Sequence, residues 1–277
     1  MRGLKVIILL STLAGIPASG AMFSMDPWII TLEPQSLKVS QILTFKHLSN
    51  NGMAAGQVQG PAQNDVNNEP VPIEISITTR EITLDGQVVY PSSKGADNFV
   101  IYPSQLILYP GDVKKVQVQW VGTKIPNRET AFGLIATQLP LTVGANREAP
   151  KVATARVNVM TRYEGILVVR PKDVKPEMVV DSVYSRTDSA GLRMVLVLNN
   201  KGTGLQNLKG MIVEAVPQGS QGKMEFNRKI KFPANLSTDA ALKSVFAGYR
   251  RMVEFPWPKD LPVGPASVTV SFPSGGK

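Results

Sequence analysis

Short runs of alternating apolar and polar residues, separated by Gly, Pro, Asn and Asp, recur along this chain. That is the pattern of half-buried β-strands joined by turns. Strands are predicted over residues 28–32, 41–47, 73–79, 99–102, 106–108, 115–121 and 132–139, with a hairpin pairing 82–84 and 88–90 across Asp85-Gly86. A longer strand opens at Ala155, and the prolines at 171 and 176 then interrupt the pattern as a linker would. Strands resume over 178–184, 192–199, 211–216, 253–255 and 267–272. Residues 238–247 carry helical spacing through Ala241, Leu242, Val245 and Phe246, and there a short helix and an irregular connection both stay open. The prediction is an all-β protein of two sandwich domains in series, residues 22–171 and 172–277.

The most informative segment is ARVNVMTRYEGILVVRP, residues 155–171. Val157, Val159 and Thr161 fall on one side of an extended chain, and Arg156, Asn158, Met160 and Arg162 on the other. After Gly165 the alternation gives way to the unbroken apolar run Ile166 to Val169, which suits a strand buried on both faces. A Gly at that change of pattern predicts a bulge. From these residues alone, an ordinary sandwich strand is the simpler account.

Composition narrows the functional classes. Residues 1–21 have Arg2 and Lys5, an apolar segment from Val6 to Leu13 and small residues up to Ala21, the form of a Sec-type signal peptide. The formal charge of +9 then falls to 9 − 2 = +7 for the mature chain, which is expected to be soluble. There is no Cys, so stability after export has to come from the core alone. The Lys and Arg are scattered and aromatic content is 6%, which argues against a nucleic-acid partner. One His and no Cys exclude a Cys nucleophile and a multi-His zinc site, and no nucleophile elbow, calcium loop or phosphate loop is found. His47 reads as a structural or exposed strand residue, and the dispersed Met as core filling. No catalytic residue, metal or cofactor is expected. Residues 50–72, rich in Gly, Gln and Asn, read as a long loop or a binding loop.

Several segments, taken in order, resemble the PapD-like periplasmic chaperones of chaperone-usher pilus assembly. They are FVIYPSQLILYPGDVKKVQVQWVG (99–122), NRETAFGLIATQLP (127–140), the Ala155 strand ending in Arg170-Pro171, and LVLNNKGTG (196–204). The opening MDPWIITLEP (25–34) is similar to the start of a divergent branch. The resemblance implies two immunoglobulin-like sandwiches in an L- or boomerang-shaped arrangement with a cleft between them. It implies a periplasmic chaperone that caps pilus subunits by adding a strand to their incomplete sandwich, then delivers them to an outer-membrane usher.

Counted back from Arg170-Pro171, the donor positions implied are Val157, Val159 and Thr161, with Ala155 and Ala153 continuing the stripe. Leu141 and Val143, in the loop before it, are open between subunit contact and core. Glu129 and Arg170 match two members of an interdomain ion-pair network, with Asp260 as a loose third. The family holds a subunit carboxylate with two basic residues, whose positions fall near Ile29 and Ile166 here. Neither is basic, so Arg162, Arg156 and Lys38 are the candidate substitutes. Two exposed donor strands pairing with each other would make a self-capping homodimer. A pilus subunit or adhesin, and an exported ligand-binding sandwich using the 50–72 loop, are the alternatives.

Overall fold

The computed structural model describes residues 22–48, 69–92, 95–140, 160–219, 222–234 and 244–273. The expected signal peptide, nearly all of the 50–72 loop, Leu141, Val143, Ala153, Ala155, Arg156, Val157 and Val159 lie outside these residues. No described helix is long and apolar enough to cross a membrane.

The first sandwich uses β1 (Met22–Asp26), β2 (Ile29–Leu32), β3 (Ser40–Leu48), β4 (Val71–Thr79), β5 (Glu81–Ile82), β6 (Val88–Val89), β7 (Phe99–Tyr102), β8 (Gln105–Leu108), β9 (Val113–Trp120), β10 (Thr130–Gln138) and β11 (Arg162–Val169). One sheet runs β1-β3-β9-β7 and the facing sheet β2-β11-β10-β4-β8, while β5 and β6 form a separate hairpin. Between them lies one core of inward side chains, including Phe23, Phe45, Leu43, Ile73, Leu108, Val116, Leu134 and Leu167, all fully enclosed. Strand β1 is absent from the predicted set: it is only five residues long and directly follows the expected signal, yet Phe23 and Met25 alternate into this core.

The second sandwich uses β12 (Met178–Asp188), β13 (Gly191–Asn200), β14 (Gln206–Asn207), β15 (Ile212–Pro217), β16 (Ile230–Pro233), β17 (Ser244–Val245), β18 (Arg250–Pro256) and β19 (Ala266–Ser271). Its sheets are β12-β13-β18 and β16-β15-β19, with β14 paired to β17. Met194, Leu196, Leu198, Val213 and Phe255 build its core. Within the span left open between helix and irregular chain, the described part holds the short strand β17.

Chain between the two cores is tied to the second sandwich. Amides of Lys201, Thr203 and Gly204 donate to carbonyls of Glu177 and Lys175. Buried Asn200 fixes the same turn, its Oδ1 accepting from Glu177 and Gly202 and its Nδ2 donating to the Gly204 and Val245 carbonyls. All of a buried amide's hydrogen-bonding groups are thereby used.

Candidate functional site

Strand β11 lies beside β10 in antiparallel register from Thr130↔Val169 to Thr137↔Arg162 without interruption. The bulge predicted at Gly165 is therefore corrected: Gly165 faces Leu134 in regular register. Its small size serves a close approach instead, because a Cβ there would sit 2.6 Å from the Trp28 carbonyl oxygen. That carbonyl accepts from the Ile166 amide at 2.8 Å and begins the parallel pairing of β11 with β2.

The pairing with β2 covers only Ile166 to Val169. Among the described residues, Arg162 to Gly165 have a strand neighbour on one side only. Amides of Ile166 and Arg170 point toward β2, so strand alternation turns those of Arg162 and Glu164 to the open side. Thr161, half-buried, continues toward β10: its carbonyl accepts from the Gln138 amide, and its own amide donates to the Gln138 side chain. Met160 is exposed.

The two faces of β11 differ. Tyr163, Leu167 and Val169 point into the first core, where the Tyr163 ring meets Phe23 edge-on at 4.8 Å. Ile166 and Val168 point outward into a second apolar cluster with Ala131, Ile82, Leu205, Phe246 and Tyr249. This cluster belongs to both sandwiches, which explains why the run Ile166–Val169 is apolar throughout. Further along the outer face, an open groove of about 420 Å³ is lined by Glu74, Ser76, Thr78, Tyr90, Ser92, Ile135, Thr137 and Arg162. The Tyr90 ring lies over Gly133, where any Cβ would strike it. Burial, then the neighbouring Glu164 carboxylate, raises the Tyr90 hydroxyl above its ordinary pKa.

The candidate cations are placed as follows. Arg162 is exposed and donates through Nε to Glu164 at 3.1 Å. Lys38 is exposed in a turn closed by backbone bonds with Glu33. Ile29 and Ile166 are register partners across the parallel pair. Ile29 is exposed, while Ile166 packs in the shared cluster, so the two positions are apolar neighbours in this chain.

At the junction, Glu129 is buried and its oxygens are filled. Oε1 accepts from Arg170 Nε at 3.0 Å and Nη2 at 2.8 Å, and Oε2 accepts from the Leu205 amide at 2.8 Å. Glu33 is the second carboxylate near Arg170, at 3.7 Å. Asp260 is exposed and makes no ion pair among the described residues. The contact from the second sandwich to the Glu129 carboxylate is thus a backbone amide, a neutral donor that satisfies it where a second acid would repel it. His47 is buried, with Nε2 at 3.0 Å from the Glu69 carbonyl. No group of three metal-ligating side chains is found among the described residues.

No family model matches this sequence, and no curated protein matches it. Solved structures do match. One comes from a chaperone–tip adhesin complex of CFA/I fimbriae biogenesis, at TM-score 0.50 and 13% identity, over 93% of this chain and 95% of that one. This is the fold of the fimbrial chaperones. The class 5 fimbriae chaperone CfaA (TM-score 0.49, 12% identity, 92% and 95% covered) also matches. So does the CsuC–CsuE pre-assembly complex of archaic chaperone-usher Csu pili from Acinetobacter baumannii (0.47, 13%, 90% and 98%). At these identities the agreement is one of fold.

Proposed function

We propose that this chain is a periplasmic chaperone that caps pilus or fimbrial subunits by lending them a strand and passes them to an outer-membrane usher. The observation that carries this reading is the half-open edge of β11. Arg162 to Gly165 have one strand neighbour among the described residues, and the apolar stripe Ala155, Val157, Val159 and Thr161 leads directly into them. An incoming strand of a subunit gains main-chain hydrogen bonds along that edge, while the stripe fills its groove. Each buried Val contributes on the order of 1.5–3 kcal/mol before ordering costs. The enclosed core of the first sandwich supports a donor of strands over a pilus subunit lacking one. The domains proposed are 22–171, carrying the donor strand, and 172–277.

The test is co-expression of the mature protein with each subunit encoded nearby, followed by co-purification of wild type and a Val157→Asp/Val159→Asp variant. A one-to-one complex with wild type that disappears with the folded variant supports strand lending. An undiminished complex moves the binding surface elsewhere, and no complex with any neighbour favours the ligand-binding alternative.

A further inference from the structure

Where the two sandwiches meet, each lays an arginine against a turn glycine of the other. Arg128, beside the buried Glu129 of the first sandwich, lies on Gly248 of the second, whose φ is 81°. Arg251, on β18 of the second, lies on Gly86 of the first, in the β5–β6 turn, with φ 90°. Both glycines occupy the left-handed region that side chains disfavour, and a Cβ at either would collide with the facing guanidinium. Around these contacts the Met252 amide donates to the Leu84 carbonyl at 2.7 Å, and the Tyr249 hydroxyl to the Arg80 carbonyl at 3.1 Å. The Arg80 guanidinium sits 5.6 Å from the Phe246 ring centre.

Stability alone does not account for Arg251. It is 5% exposed, and its Nε has no hydrogen-bond partner among the described residues. Burial lowers its pKa, opposed by the Asp85 charge. A buried, incompletely satisfied cation is commonly no better for folding than a hydrophobic side chain of similar volume. What a planar guanidinium on a bare glycine peptide does supply is a defined relative placement of two surfaces. Two such contacts in opposite directions restrain rotation as well as separation.

We propose that Arg128–Gly248 and Arg251–Gly86 form a reciprocal pair of positioning contacts that fix the angle between the sandwiches. They thereby set how the second sandwich faces a partner bound along the open edge of β11. Only that last consequence rests on the proposed chaperone role.

Because the chain has no Cys, Lys46→Cys and Lys231→Cys place one spin label on each sandwich at exposed sites. The interlabel distance distribution is measured in wild type, in Arg128→Ala/Arg251→Met, and in Gly86→Ala/Gly248→Ala. The expected result is a distribution about twofold broader in both variants, since domains joined without a fixed interface move relative to one another. Thermal unfolding of Arg128→Ala/Arg251→Met should stay cooperative, and its subunit complex should weaken roughly tenfold, about 1.4 kcal/mol. An unchanged distribution overturns the proposal. So does an unfolded Arg128→Ala/Arg251→Met protein, which would assign these arginines to core stability. If wild type binds no subunit, the chaperone reading fails, while the distances still judge the joint.

Discussion

Strands β11 and β12 follow one another in the chain and, among the described residues, each has an edge without a strand neighbour, yet those edges differ in character. β12 runs for eleven residues at the border of its sheet, exposed along most of its length. Its edge is defended: the register shifts between Val180 and Ser182, and charged side chains tie it across the sheet, Asp181 to Arg250 at 2.8 Å and Arg186 to Glu254. Bulges and charges of this kind are how sheets discourage further strand addition. β11 has no bulge, and on its open half Arg162 and Glu164 pair with each other along the outer face. Their contact runs along the face of the strand, so among the described residues nothing pairs with the main-chain edge there. Among the described residues, one border is broken by a register shift and crossed by ion pairs, and the other stays regular along its open half.

The sharpest way to break this comparison is to close the open edge. Glu164→Pro removes an amide that points away from β10, so the ladder inside the first sandwich keeps its bonds while the edge loses a donor and gains a bulky ring. A folded protein by circular dichroism whose subunit complex falls at least tenfold is expected. A complex of undiminished stability would mean that partners do not pair at this edge.

A second comparison sets Glu129 beside the surface pairs of β12. Glu129→Ala leaves Arg170 without its closest acid and the Leu205 amide without its acceptor. The expected cost is about 2–3 kcal/mol in denaturant unfolding, for a buried acceptor of charged and neutral bonds. Gln at this position keeps an acceptor and loses the charge, so it should cost less. Equal costs for both variants would indicate that the charge contributes nothing beyond the hydrogen bonds.

Glycines at the two strands separate close approach from backbone strain. Gly165→Ala forces a methyl against the Trp28 carbonyl and, at 3.0 Å, the end of Met25, so β2 must shift away from β11. A loss of about 1–3 kcal/mol is expected, as for other overpacked sites. Gly191, the first residue of β13 beside the β12–β13 turn, has nothing within 4 Å of an added Cβ but a φ of 111°. Gly191→Ala should cost about 1 kcal/mol through conformation alone. A larger loss at Gly191 than at Gly165 would contradict this division.

The same glycine shows how far the sequence could be read. Alternation and turn residues were enough for most strands, and the unbroken run Ile166–Val169 announced burial on both faces. Gly165 was legible as special but not for its reason, since a bulge and a close backbone approach leave the same mark. Only the position of Trp28, distant in sequence, decides between them. Glu129 and Arg170 were reached through resemblance, and the structure brings them together. The Leu205 amide, Arg128 on Gly248 and Arg251 on Gly86 had no local signal, because they exist only once the two sandwiches meet.

The smallest expected effect lies on the defended edge itself. Arg186 and Glu254 form a charged contact with side chains 49% and 35% exposed, so solvent screens most of their attraction. A double-mutant cycle through Arg186→Ala and Glu254→Ala should give a coupling of about 0.2–1 kcal/mol, shrinking as salt is raised. If the pair serves chiefly to guard the edge, its removal should show less in unfolding than in solution behaviour. Sedimentation at rising protein concentration should then reveal new self-association in the double variant, through the border of β12.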